Sequence, residues 1–175
     1  CDRDTRSLVA EMGARGTGHI AYLCELTPPD ISIVLNVGTA HLGEFGSREA
    51  IAAAKGEIVE ALRPEGVAIR NATDPLPAAM AARPSATVLT YGASAGAELP
   101  IQDLTLDALA RPSFTLTTAT EAAAVTMKVS GEHSAWNGAA AVLAGVAAGV
   151  PLAEAAAALS AAEAVSRWRM EITTT

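Results

Sequence analysis

Residues 31–37 read ISIVLNV. The run is almost continuously apolar and rich in β-branched side chains. It fits a central parallel strand covered on both faces better than a half-exposed one, which would alternate. Downstream lies the loop GTAHLGEFGS at 38–47, with Ser47 placed to cap a helix. Residues 48–62, REAIAAAKGEIVEAL, space their apolar side chains as a helix does. GVAIRN at 66–71 then predicts a strand, Asp74–Ala82 a short helix, and TVLTY at 87–91 another strand. Upstream, SLVAEM at 7–12 reads as a short buried strand, GARGTG at 13–18 as a glycine-rich turn, and His19–Leu26 as a helix stopped by Pro28 and Pro29. Strands alternating with helices predict a parallel sheet with crossover helices.

From Glu98 the texture changes. Leu99–Leu106, Ser113–Thr118 and Ala123–Val129 alternate or are rich in Thr, with no helix between them. They predict an antiparallel meander at the edge of the sheet or beside it. Two Ala-rich helices come after Glu132, split at Gly149-Val150-Pro151, with Pro151 suited to a first turn, and SRWRMEITTT at 166–175 reads as extended. The expected fold is therefore α/β, mainly parallel, with a small antiparallel element.

Composition narrows the function. Forty of 175 residues are Ala and only 3% are aromatic, so the core is built from small and aliphatic side chains. A net charge of −7, from 12 basic and 19 acidic side chains, argues against the basic face that nucleic acid requires. Cys1 and Cys24 make neither a disulfide framework nor a CxxC metal pair, which suits a reduced, cytoplasmic protein. No unbroken apolar run reaches the length of a membrane span. The chain begins at Cys1 and stops within an apparently extended stretch, so a piece of a longer protein is expected.

Five positions stand out, each with a plain alternative. Glu11 ends the first expected strand, where ligands of open α/β sheets bind, and either holds a divalent cation or is simply solvated. His41 lies in the loop after ISIVLNV and either ligates a metal or phosphate or bonds to backbone. Lys55 sits mid-helix among Ala52, Ala53, Ala54 and Gly56, and either meets a close-approaching surface or snorkels to solvent. His133 and Asn137, in GEHSAWN at the start of a helix, share a face, where Asn137 either reads a purine edge or the segment is ordinary helix capping. Arg169 by itself is uninformative. No GxxxxGK[ST] phosphate loop is present.

Taken in order, EMGARGTGHIAYL, VLNVGTAHLGEFGSREAIAAAKGEIVEAL, NATDPL, GEHSAWNGAAAVLA and SRWRMEI resemble the Mur ligase family over nearly the whole chain. Through the block NVGTAHLGEFGS, continued by AKGEI, the resemblance implies addition of D-Ala-D-Ala to a UDP-MurNAc-tripeptide. The resemblance implies part of the central, ATP-binding domain over residues 1–171, with 172–175 starting a linker to a C-terminal domain. It implies an ATP- and Mg²⁺-dependent amide ligase of peptidoglycan synthesis, working through an acyl phosphate. By the same resemblance, Glu11 and His41 match magnesium-site residues, and Lys55 matches a lysine that becomes carbamylated and so serves the metal as an anion. His133 and Asn137 match the adenine contact, and Arg169 an arginine that approaches the ATP phosphates. The family's phosphate loop, strand and helix would precede residue 1, so the piece alone is expected to be inactive. Thr73 stands where the family usually has an acidic residue. A folylpolyglutamate synthase-like ligase, or a non-catalytic α/β binding or scaffold module, is the alternative.

Overall fold

The structure is a computed structural model that describes residues 3–38, 42–80, 85–94 and 96–163. In chain order the elements are α1 (His19–Leu26), β1 (Ile31–Val34), α2 (Leu42–Phe45), α3 (Arg48–Glu60), β2 (Val67–Asn71), α4 (Pro75–Ala79), β3 (Thr87–Gly92), β4 (Leu99–Leu106), β5 (Pro112–Thr117), β6 (Ala122–Thr126), α5 (His133–Ala147) and α6 (Leu152–Ala161).

The six strands form one sheet in sequence order. β1, β2 and β3 pair in parallel, Ile33 opposite Ile69 and Ile69 opposite Leu89. β3 meets β4 in parallel over only Tyr91–Leu99 and Gly92–Pro100. β4, β5 and β6 then form the expected antiparallel meander, with an irregularity between Gln102 and Thr105. The meander is thus continuous with the parallel sheet and displaced beyond the carboxyl ends of β1–β3.

Alternation along β2 shows how the two faces are covered. Ala68 packs with Val34, Val37, Ile51, Val59, Leu62 and Met80, on the side of α3 and α4. Ile69 packs with Tyr91, Leu99, Leu116, Val125 and the α5 residues Ala139 and Val142. Each fully buried aliphatic side chain contributes about 2 kcal/mol relative to exposure. The Ala-rich face of α5 lets that helix lie close against the sheet.

Local signals account for the helix starts. Ser47 Oγ accepts from Ala50 N at 3.1 Å, capping α3. Asp74 Oδ1 accepts from Leu76 N at 3.1 Å, capping α4, with Pro75 in its first turn. α1 begins and ends where the glycines and prolines predict. Pro151 stands one residue earlier than expected, at the cap position of α6.

Other expectations are corrected. Residues 7–12 form no strand, and Leu8 and Val9 are 59% and 96% exposed rather than buried. An apolar run has strand composition, but a strand exists only with a hydrogen-bonded neighbour, and none of the described residues pairs with this segment. β1 ends at Val34, three residues short of the apolar run, because Leu35–Val37 are held by side chains instead of a ladder. The loop after β1 contains the single-turn α2. The terminal stretch 166–175 lies outside the described residues.

Candidate functional site

The carboxyl edge of the parallel strands carries a dense set of side-chain-to-backbone bonds, all directed at the three residues after β1. Leu35 O accepts from Asn71 Nδ2 at 3.1 Å and from Tyr91 OH at 3.3 Å. Asn36 O accepts from Lys55 Nζ at 2.8 Å. Val37 N donates to Asp74 Oδ2 at 2.8 Å, and Val37 O accepts from Arg48 Nη2 at 2.8 Å. Arg48 Nη2 also lies 4.0 Å from Asp74 Oδ1. Side chains from α3, β2, β3 and the cap of α4 therefore fix the segment that leads into the loop carrying His41. Backbone groups that leave a ladder must find other partners, and here side chains supply them.

Thr73 belongs to the same crown. Its amide donates to Asn71 Oδ1 at 2.8 Å, and its Oγ1 accepts from Ala93 N at 3.0 Å. It ties the end of β2 to the end of β3. Gly92, at φ 142°, makes that approach possible, since a Cβ there would collide with Thr73 Oγ1. Thr73 thus has a definite structural role.

Lys55 is half-buried on α3, two turns from its start, and turned toward the β1 loop. Burial pushes its ammonium below the ordinary lysine range, against the opposing pull of the Asp74 carboxylate. It is therefore neither a plain exposed lysine nor a fully paired cation. Burial, and next the Asp74 charge, push the Tyr91 phenol well up, so it remains a donor to Leu35 O.

α5 enters the same edge from the other face. β6 runs in the sense of β1–β4, so the helix after it begins beyond the carboxyl ends of β1–β3 and descends over the sheet. Gly131 N donates to Ala110 O at 2.7 Å, joining the helix start to the β4–β5 turn. His133 and Asn137 lie one turn apart, both exposed. Glu132 makes no side-chain cap bond, and Ser134 Oγ donates to Ser130 O at 3.0 Å at the helix start. Lys55 and Asn137 sit on opposite faces and share one edge.

Glu11 is exposed and lies on no strand, so its expected place at a strand's carboxyl end is not what is seen. Met12 Sδ, the next residue, lies 3.7 Å from Cys24 Sγ of α1. His41 and Arg169 are outside the described residues. Reading the sequence alone misses Asp74, Arg48, Asn71 and Glu57. The carboxylate of Glu57 accepts from Gly18 N at 2.6 Å and from Ala21 N at 3.0 Å. The only signal for these four is their place in the family-like blocks. Their partners are mostly 36 to 39 residues away.

Among the described residues no three His, Cys, Asp or Glu side chains gather into a metal cage. No helix among them is long and apolar enough to cross a membrane.

Comparison with known proteins converges on one family. Residues 1–145 match the Mur ligase middle domain. The UDP-N-acetylmuramoyl-tripeptide–D-alanyl-D-alanine ligase of Mycobacterium tuberculosis is 45% identical over 172 residues, covering 98% of this chain and 34% of that protein. The structure of MurF from Acinetobacter baumannii superposes with a TM-score of 0.83 at 31% identity, over 93% of this chain and 35% of that one. MurF from Thermotoga maritima, solved in complex with ADP, gives 0.71 at 26% identity, over 88% and 35%. The chain spans about a third of the length of these relatives. With a family match over most of its length, the chain belongs to the Mur ligase family.

Proposed function

We propose that this chain is the nucleotide-handling middle domain, residues 1–171, of a cytoplasmic ligase that joins D-Ala-D-Ala to a UDP-MurNAc-tripeptide, using ATP, in peptidoglycan synthesis. Residues 172–175 would begin the linker to a further domain. The observation that carries this reading is 45% identity over 98% of the chain to a ligase of that name. The same similarity argues against a folylpolyglutamate synthase-like activity or a scaffold module.

The reaction needs a carboxylate oxygen of the tripeptide to attack the γ-phosphorus of ATP, releasing ADP and leaving an acyl phosphate. The amine of D-Ala-D-Ala then attacks the acyl carbon, loses a proton and expels phosphate. Positioning and charge neutralisation do most of this work. Asn137 offers a donor and an acceptor at the start of α5, suited to an adenine edge, with His133 beside it. Arg169 would approach the phosphates.

Magnesium would neutralise phosphate charge. It needs only one or two protein oxygens when nucleotide and water supply the remainder, so the lack of a cage among the described residues does not count against it. Glu11 offers an exposed carboxylate, and His41 would complete the set. A lysine ammonium does not fit a magnesium site. Lys55 fits it as a carbamate, formed when its neutral amine adds to CO₂ and releases a proton. Its lowered proton affinity favours that step.

The test is phosphate release by the complete protein. Release that requires ATP, the UDP-MurNAc-tripeptide and D-Ala-D-Ala together supports the reading. Release independent of the dipeptide, or none at all, would overturn it.

A further inference from the structure

We propose that Glu57 is a positioning residue that locks the segment bearing Glu11 onto the helix bearing Lys55. The assignment rests on the ligase reading for what those two residues do, and on geometry for how they are held.

α1 needs a cap it cannot supply. Its first amides lack helical acceptors, and Gly18 at the cap position, φ 86°, has no side chain to offer. Glu57 meets that need from another helix. Its Oε1 accepts from Gly18 N at 2.6 Å and its Oε2 from Ala21 N at 3.0 Å. These are the cap and third-position amides, which a capping box satisfies from within its own helix. Here one carboxylate serves both, and its charge faces the positive end of α1.

The bridge matters because no strand ladder among the described residues holds the segment bearing Glu11. Residues 3–14 pair with no strand among those described. The link from Glu11 runs through Met12, whose sulfur touches the buried Cys24 of α1, and then through the start of α1 to Glu57. α1 and α3 do not meet flush. A cleft of about 370 Å³ lined by Ala21, Cys24 and Glu57 opens beside the bridge. Glu57 lies two positions beyond Lys55, about 200° around the helix. Lys55 therefore faces the β1 loop while Glu57 faces α1, and Glu57 acts on the site only through Glu11.

The experiment compares the complete protein with its Glu57→Ala and Glu57→Gln variants by two readouts that do not require turnover. Amide hydrogen exchange over residues 18–21 should quicken about tenfold in Glu57→Ala. Glu57→Gln, which keeps one acceptor oxygen, should recover part of the protection. Mn²⁺ binding in the presence of ADP, monitored by electron paramagnetic resonance, should weaken about tenfold in Glu57→Ala and less in Glu57→Gln. Faster exchange with unchanged Mn²⁺ affinity would make Glu57 a merely structural cap and overturn the proposal. Unchanged exchange would show that the bridge is absent. The wild type's phosphate release with both substrates judges the ligase reading separately, so the two failures are distinguishable.

Discussion

Lys55 is where the proposed chemistry depends most on a single residue. Burial disfavours its charged form in the fold, with Asp74 opposing. Proton linkage gives the sign. Because the folded-state proton affinity is the lower one, the unfolded chain binds more protons between the lowered value and 10.5, and stability rises with pH across that window. The same burial enriches the neutral amine, the form that the proposed carbamylation requires. The chain has one other lysine, Lys128, whose Nζ is 2.7 Å from Glu163 Oε1 at the surface. Complete protein in ¹³C-bicarbonate should therefore show a carbamate carbonyl resonance by NMR, lost in Lys55→Arg and kept in Lys128→Arg. A carbamate spectrum left unchanged by Lys55→Arg would refute the assignment. Lys55 is legible in the sequence because AAAKGE is a local pattern. Its acceptor, Asn36 O, is not, since nothing local to either residue signals a bond 19 positions away. The distant partners of Asp74 and Glu57 are hidden for the same reason, lying 36 to 39 residues away.

At the scale of elements, the two caps at the carboxyl edge should not be equivalent. Ser47 serves one amide, and Ser47→Ala should cost about 1 kcal/mol. Asp74 serves Leu76 N and also Val37 N, the second as a charged acceptor holding the β1 loop. Asp74→Ala should cost about 2–3 kcal/mol and loosen that loop as well. Denaturant titration monitored by tryptophan fluorescence compares them, and equal costs would mean that the bond to Val37 contributes little. Helices are legible because their signals are local, as with Gly18 before α1, Ser47 before α3, and Asp74 with Pro75 before α4. β4–β6 are legible because alternation survives at an edge. Residues 7–12 mislead because pairing depends on a neighbour that composition does not reveal. The last residues of ISIVLNV mislead because β2, β3, α3 and α4 take over their backbone groups.

At the scale of the molecule, one sheet does two jobs. Its parallel half, with α3 and α4 on one face, holds the β1 loop and Lys55. Its antiparallel half carries the chain past the strand ends, so that α5 starts on the same edge from the opposite face, with His133 and Asn137 exposed. The family is legible from the order of its blocks. Residues gathered on this edge would serve amide formation through an acyl phosphate. The most direct measurement is the fate of the substrate oxygen in the complete protein. UDP-MurNAc-tripeptide labelled with ¹⁸O in its reacting carboxylate should deliver one labelled oxygen to the phosphate released on amide formation with D-Ala-D-Ala. Unlabelled phosphate accompanying the amide product would contradict that route.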